Sequence, residues 1–222
     1  METEERSSIK FDPPVSIQRY AAVCEILSRD GQVESVADFG CSSGMFLTYV
    51  KRLGNLRRYV GVDVTYGCLE DPGQLTRPLD WDIVHKRART LNIEFFKGNV
   101  SDRDSRLEGF DAVTCIELVE HLHEEDLRKL PDNIFGFIRP RLVVITTPNR
   151  DFNVVFPGLQ GLRHWDHKFE WTRAEFDALV LGHRAALPGL HGRVQRRWRV
   201  AVSGAPWRRL LHPDSHVQET AR

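Results

Sequence analysis

The sequence predicts an α/β fold in which a mostly parallel sheet is covered by helices on both faces. Short, nearly continuous apolar runs alternate with segments of helical periodicity, as expected for strands buried on both faces and the helices that connect them. The chain has 222 residues, a length that suits one such domain with a real hydrophobic core. Its 41% hydrophobic and 28% charged residues exclude a wholly disordered chain.

The expected elements alternate regularly along the chain. Apolar residues at helical spacing predict helices over residues 17–27, 45–53 and 81–91, with a further charged helix starting near Glu117. Apolar runs predict strands over residues 35–39, 59–64, 93–96, 112–116 and 142–146. The stretch 65–78 is punctuated by glycine and proline and is expected to be a loop. Ligands of such sheets bind outside the carboxyl ends of the strands, so candidate functional residues are those that follow each strand.

Charge and cysteine content limit the functional classes. The 31 basic and 31 acidic residues balance, which argues against a protein that coats nucleic acid through its overall charge. The four cysteines show no C-x-x-C spacing, which is typical of reduced thiols in a cytosolic or nuclear protein. No stretch approaches the roughly 18 apolar residues needed to cross a bilayer, and the polar residues 1–10 do not resemble a secretory signal.

The C-terminal part of the chain differs from the rest in composition. Residues 184–222 contain eight arginines and only two acidic residues. We therefore predict a catalytic domain over residues 1–183 and a basic segment over residues 184–222. Within that segment, alternating residues 194–202 are compatible with an edge strand and the remainder reads as a tail.

The first strand leads into a glycine-containing turn with an acidic residue on either side. Asp38 precedes Gly40 and Gly44, and the second strand ends at Asp63. Glycines let the backbone approach a ligand closely, and a strand-end carboxylate can accept hydrogen bonds from a ribose diol. Alone, Asp63 would more often be a turn or cap residue. Together these residues favour a cofactor that carries a ribose.

The pattern D-x-G-x-x-x-G with a later acid resembles the class I S-adenosylmethionine-dependent methyltransferases, which have a Rossmann-like fold. The resemblance implies that Asp38 and Gly40 lie near the methionine part, that Asp63 binds the ribose, and that Asn99 contacts the adenine. Ser42 stands at the third position of the family's glycine run. The expected cofactor-binding residues are Asp38, Gly40, Ser42, Gly44, Asp63 and Asn99.

The segment after the fourth strand carries two carboxylates and an imidazole in close succession. If Glu117, Glu120 and His121 lie on one α-helix, their directions fall within a single 100° sector. Such a convergent set is suited to a divalent metal, whereas an isolated acid would be an ordinary helix-start residue. A fourth ligand must come from another loop, and on spacing alone His164 and His167 are both candidates.

Three further motifs narrow the resemblance. E-L-V-E-H-L at residues 117–122, T-P-N at 147–149 and D-H-K-F-E-W at 166–171 resemble the small-RNA 3′-terminal 2′-O-methyltransferases, the Hua-enhancer family. F-x-P-P-x-x-x-Q-R-Y at residues 11–20 and D-S-R-L-x-G-F-D at 104–111 match its animal members. The resemblance covers about residues 9–178 and implies a set of metal-binding and catalytic residues: Glu117, Glu120, His121 and His167.

The resemblance also implies a reaction. A metal bound to the 2′- and 3′-hydroxyls of a terminal ribose would activate the 2′-hydroxyl for methylation by S-adenosylmethionine, and His121 is a candidate to assist deprotonation. The family is described with magnesium, while the histidine ligands themselves favour manganese, cobalt or zinc. From Arg184 onward the sequence departs from the family's usual ending, so the C-terminal strands are expected to be incomplete.

The expected substrate is the 3′ end of a single-stranded, piRNA-like small RNA, carried by an Argonaute or Piwi-type protein. A monomer without membrane contact, in the cytoplasm or its germ granules, is expected. Two alternatives stay open: a metal-dependent O-methyltransferase of a catechol-like small molecule, and a non-catalytic variant that binds RNA and cofactor.

Overall fold

The computed structural model describes residues 11–65, 67, 72–78, 80–156, 158–178 and 197–200. Its centre is a six-stranded, fully parallel sheet with strand order β3-β2-β1-β4-β5-β6. The strands are β1 (Ser35–Phe39), β2 (Arg58–Asp63), β3 (Asn92–Lys97), β4 (Ala112–Ile116), β5 (Leu142–Thr146) and β6 (Arg197–Val200). The α/β prediction and the five predicted strands are confirmed, and each strand end lies within one residue of its predicted position.

Helices cover both faces of the sheet. The α-helices are α1 (Val15–Arg29), α2 (Met45–Val50), α3 (Pro72–Thr76), α4 (Asp80–Val84) and α5 (Glu124–Pro131), and α5 continues into a π-helical segment at Asp132–Ile138. One apolar cluster joins α1 and α2 to one face, and a second joins α5 and the π-helical segment to the other. This two-sided burial explains why the strands are apolar at nearly every position.

Two expectations about the region between β2 and β3 were wrong. The stretch expected to be a loop contains α3, although residues 66, 68–71 and 79 lie outside the described part. The helix predicted over residues 81–91 ends at Val84. The guanidinium of Arg87 donates hydrogen bonds to the backbone carbonyls of Lys51 and Leu56, which ties this segment to α2 and its following turn in a non-helical conformation.

The far edge of the sheet is formed by β6, which pairs in parallel with β5. It lies inside the alternating stretch 194–202, whose other residues lie outside the described part. The predicted tail and the expected incomplete C-terminal strands also lie outside it. In the part of the chain that is described, no helix has both the length and the apolar character that a membrane span requires.

Candidate active site at the carboxyl ends of the strands

The turn after β1 has the backbone conformation that its glycines permit. Gly40 and Gly44 both have positive φ, at 73° and 74°. A Cβ added at Gly40 would lie 2.7 Å from Leu118, and one at Gly44 would lie 2.7 Å from Leu75. Both positions therefore exclude a side chain on conformational and steric grounds. The turn brings the backbone close to the residues that follow β4.

Asp63, at the end of β2, fixes this turn from the neighbouring strand. One carboxylate oxygen accepts a hydrogen bond from the backbone N–H of Ser42 at 2.8 Å. The other oxygen accepts from the N–H and hydroxyl of Thr65, at 2.8 and 2.7 Å. Ser42 itself has φ 46°, a left-handed conformation that L-residues other than glycine adopt at a cost. Asp63 thus performs the turn-residue role considered for it, and its contact with a ribose stays a prediction.

Asp38 is directed into the sheet. Its carboxylate is almost fully buried and accepts hydrogen bonds from the hydroxyls of Tyr59, at 2.6 Å, and Thr114, at 2.7 Å. Burial raises the pKa of Asp38 to about 6, against the lowering effect of those two hydrogen bonds. These contacts join β1 to β2 and β4, so Asp38 supports the turn from beneath.

Asn99 follows β3 and joins it to α5. Its side-chain amide donates to Asp126 at 2.8 Å, and its oxygen accepts from the N–H and hydroxyl of Ser101, both at 3.0 Å. The predicted adenine contact would have to form beside these bonds or replace one of them.

Glu117 does not begin an α-helix as predicted. Its φ of 51° breaks the helical path, Val119–His121 form a 3-10 turn, and α5 begins only at Glu124. The N–H of Glu117 donates to the backbone carbonyl of Thr146 at the end of β5, which bends the chain across the sheet edge. The prediction that Glu117, Glu120 and His121 share one sector of an α-helix was therefore wrong.

The Glu117 carboxylate forms a partly buried ion pair with Arg19 of α1. The guanidinium Nη2 lies 2.8 Å from Oε2, and Thr146 donates its hydroxyl to Oε1 at 3.1 Å. Burial raises the pKa of Glu117, while the neighbouring charge of Arg19 opposes that shift. Arg19 belongs to the N-terminal motif, but nothing in its spacing indicated a contact with a residue so far along the chain.

Glu120 is a buried carboxylate with an incomplete set of partners. It has 0% exposure, and Oε2 accepts a hydrogen bond from the Thr147 hydroxyl at 3.0 Å. Oε1 has no hydrogen-bond partner within the described part of the chain. Burial raises the pKa of Glu120 to about 8, and the negative charge of Glu117 adds to the shift. A buried acid in this condition is strongly stabilised by any cation that reaches it.

Two histidines are oriented by carboxylates. His121 Nδ1 lies 2.9 Å from Asp166, and His167 Nδ1 lies 2.7 Å from Glu170. An Nδ1–H donated to a carboxylate leaves the Nε2 lone pair available, which is the usual arrangement of metal-binding histidines. The motif D-H-K-F-E-W contains both carboxylates, but the roles of Asp166 and Glu170 were not recognised from sequence.

His164 differs from the other two histidines because its Nδ1 accepts a hydrogen bond. Its Nδ1 accepts a hydrogen bond from the backbone N–H of Asp166 at 3.2 Å, so in the neutral ring Nε2 carries the proton and is not a ligand. Nevertheless His121, His164 and His167 each place a nitrogen within 4.8 Å of the others. The hydrogen bonding favours His167 over His164, a choice that spacing alone left open.

The structure brings the two expected histidine ligands together and places the backbone of Glu120 beside their segment. The rings of His121 and His167 lie 4.9 Å apart, and the backbone N–H of Lys168 donates to the Glu120 carbonyl at 2.7 Å. The Glu117 and Glu120 carboxylates are not part of the three-histidine group, and they are bonded to Arg19 and Thr147 respectively. Paired imidazoles with available Nε2 atoms and an unsatisfied buried carboxylate oxygen fit a divalent cation.

Comparisons with known proteins identify the family of the chain. A family model described as a methyltransferase domain matches residues 16–196. Curated proteins named small RNA 2′-O-methyltransferase are 41% identical over 79% of this chain in Drosophila melanogaster and 42% identical over 78% in Mus musculus. The match takes in 47% and 43% of those two proteins, so the chain spans about half the length of the curated relatives it matches.

Solved structures extend the comparison to the fold. The small RNA methyltransferase HEN1 superimposes with a TM-score of 0.71 at 26% identity, over 83% of this chain and 23% of that one. The methyltransferase domain of a bacterial Hen1 superimposes with a TM-score of 0.63 at 32% identity, over 78% of this chain and 85% of that domain. The Rossmann-like methyltransferase fold and its cofactor, S-adenosylmethionine, agree with the sequence-based expectation. The chain therefore belongs to the methyltransferase domain family and, within it, to the small RNA 2′-O-methyltransferases.

Proposed function

We propose that this domain transfers the methyl group of S-adenosylmethionine to the 2′-hydroxyl of the 3′-terminal ribose of small RNAs, assisted by a divalent metal. One observation carries the proposal: the rings of His121 and His167, each oriented by a carboxylate, lie 4.9 Å apart, and His121 directly follows Glu120, a buried acid that interacts with Glu117. In parallel sheets this edge is where cofactor and substrate meet. The shared name of the relatives favours an RNA end over a catechol-like molecule.

The protein's own residues prepare the site for a cation and a ribose. Asp166 and Glu170 hold the two imidazoles in one orientation, and Thr147 holds one oxygen of Glu120. Arg19 pairs its charge with that of Glu117 at 2.8 Å. Such preorganisation lowers the reorganisation needed when substrate binds. The four ligand residues would hold the metal, which when bound supplies Lewis acidity to the ribose hydroxyls.

We assign magnesium as the working metal, with manganese or cobalt as substitutes that two imidazole ligands accommodate well. For the cofactor, Gly40, Ser42 and Gly44 would form the turn that it approaches closely, because the two glycines carry no side chain, while Asp38 supports the turn. Asp63 would bind the ribose hydroxyls and Asn99 the adenine.

The proposed substrate is single-stranded and piRNA-like, delivered by an Argonaute or Piwi-type protein to a monomeric enzyme in the cytoplasm or germ granules. A free vicinal diol at the 3′ end would distinguish RNA from DNA.

The test is transfer of labelled methyl from S-adenosylmethionine to three single-stranded oligonucleotides that differ only at the 3′ nucleotide. An unmodified ribose should be methylated, while a 2′-deoxy end and a 3′-phosphorylated end should not. EDTA should abolish the transfer and added magnesium or manganese should restore it. Equal labelling of the 2′-deoxy end would refute the 2′-O assignment, and EDTA-resistant transfer would refute the metal.

A further inference from the structure

Trp165 is a large aromatic side chain that the protein leaves in solvent. It is 88% exposed, although it stands between two residues of the active-site segment, His164 and Asp166. An indole contributes more to stability when buried, so such exposure beside a site commonly marks a contact with a ligand. Its ring lies 5.4 Å from that of His164, with an interplanar angle of 35°.

The segment that presents Trp165 is held at almost every other residue. Arg163 donates its backbone N–H to Glu170 at 2.7 Å, and its guanidinium bonds Asn149 and Asn153. On the other side, Asp166 accepts a hydrogen bond from His121 Nδ1 at 2.9 Å. The backbone N–H of Lys168 bonds Glu120. The indole therefore projects from a fixed loop, so a ligand that meets it need not order the segment first.

The position of Trp165 relative to the histidines limits what that ligand can be. His164, against which the indole rests, has a ring nitrogen within 4.8 Å of those of His121 and His167. A ribose held by the proposed metal ligands therefore carries its base, or the base of the preceding nucleotide, into the neighbourhood of the indole. Proteins recognise unstacked bases of single-stranded RNA by stacking them on aromatic side chains.

We propose that Trp165 is a stacking platform for a nucleobase at the 3′ end of the substrate RNA. The inference rests on the proposed function and adds a positioning residue to it. Trp165 acts by binding the base beside the reacting ribose, whatever the base is, because every base offers a planar face. It should therefore contribute to RNA affinity without sequence preference.

The test compares Trp165→Ala, Trp165→Phe and Trp165→Leu, with Ile83→Ala as a matched control at an exposed apolar residue of α4. Each is assayed for KM and kcat with an unmodified RNA and with an RNA whose 3′-terminal or penultimate nucleotide is abasic but keeps its ribose. Fluorescence anisotropy of the same labelled RNAs gives affinity independently of turnover. Since the side chain is exposed, thermal unfolding should be unchanged.

Trp165→Ala and Trp165→Leu should weaken RNA binding and raise KM about ten-fold with little change in kcat, while Trp165→Phe keeps most of the affinity. Removing one of the two bases should weaken wild-type binding similarly and have little further effect on Trp165→Ala. Unchanged affinity in Trp165→Ala, or equal losses for normal and abasic RNA, would overturn the inference, including the case in which the indole serves a protein partner. If the wild type binds RNA through Trp165 but never methylates it, the proposed function fails and the stacking inference stands.

Discussion

The two halves of the sheet edge both carry buried acids, but they use them differently. Beside β1 and β2, Asp38 and Asp63 have hydrogen-bond donors on both carboxylate oxygens, supplied by hydroxyls and backbone N–H groups of the protein itself. Beside β4, Glu120 has one oxygen that finds no partner among the described residues, and a second carboxylate, Glu117, lies near it. Both oxygens of Asp38 and of Asp63 are thus bonded within the protein, whereas one oxygen of Glu120 has no such bond among the described residues.

The difference indicates which acids hold the fold and which await a ligand. A buried carboxylate whose donors come from neighbouring strands joins those strands, and the protein provides its stabilisation. A buried carboxylate beside a like charge and lacking a donor is costly to ionise, as the raised pKa of Glu120 reflects. A cation would offset this cost, which supports the proposal of a metal site on the β4 side and a cofactor turn on the β1 side.

The largest effect is expected from Glu120→Gln, which keeps the size of the side chain and removes its charge. Methyl transfer should fall more than roughly 100-fold, since even indirect metal-site partners commonly contribute 10- to 100-fold. The metal-free variant should gain stability relative to wild type as pH rises above 4.5, with the full gain reached above about pH 8, because a buried carboxyl with a raised pKa is removed. Glu125→Gln, an exposed acid of α5, is the control for both assays. A variant with wild-type turnover would show that Glu120 is not a ligand.

Asp38→Asn tests whether the buried carboxyl of Asp38 makes the stability of the protein depend on pH. Burial places the pKa of Asp38 at about 6, above its value of 3.8 in an unfolded chain. The folded protein therefore binds more protons than the unfolded one between these values, so this group's contribution to stability is full below pH 4 and lost as pH rises through 6. The loss is about 3 kcal/mol by its pKa shift. The free energy of unfolding, measured with urea at several pH values between 4 and 7, should fall less steeply with pH in Asp38→Asn than in wild type. An equal pH dependence in the two proteins would contradict the assignment.

Glu170→Gln should weaken metal binding roughly 10- to 100-fold by loosening the orientation of His167. Glu170 also bonds Arg163 and Asn153, so some stability is lost as well. Metal affinity measured at a temperature well below the unfolding midpoint separates the two effects. Asn153→Ala provides the comparison, because it disturbs the same network without touching the histidine. Equal metal affinity in Glu170→Gln and wild type would remove Glu170 from the site.

The smallest effect is expected in the cofactor turn. Ser42→Gly should raise the free energy of unfolding by about 0.5 to 1 kcal/mol, since glycine adopts the left-handed conformation at this position without steric cost. Chemical denaturation would measure the change. Ser43→Gly, next in the same turn and without a positive φ, should not be stabilised. If both variants lose stability equally, strain at Ser42 is absent.

The sequence predicted the sheet well because its strands are buried on both faces and therefore apolar throughout. The candidate metal ligands were identified from short sequence motifs, which give the types and the order of residues. The local path was missed at Glu117, where a hydrogen bond to the neighbouring β5 overrides helical propensity. Arg19 could not be placed from periodicity, since its contact with Glu117 depends on how α1 packs against the sheet edge. The histidine tautomers likewise depend on partners brought by folding.

The most direct measurement is calorimetric titration of the wild-type domain with manganese at neutral pH, alongside Glu120→Gln and Glu125→Gln. The wild type and Glu125→Gln should bind one ion with the same Kd, and Glu120→Gln should bind it at least roughly 100-fold more weakly. An identical Kd in all three proteins would contradict the account, because the unsatisfied carboxylate beside β4 would then have no part in holding a metal.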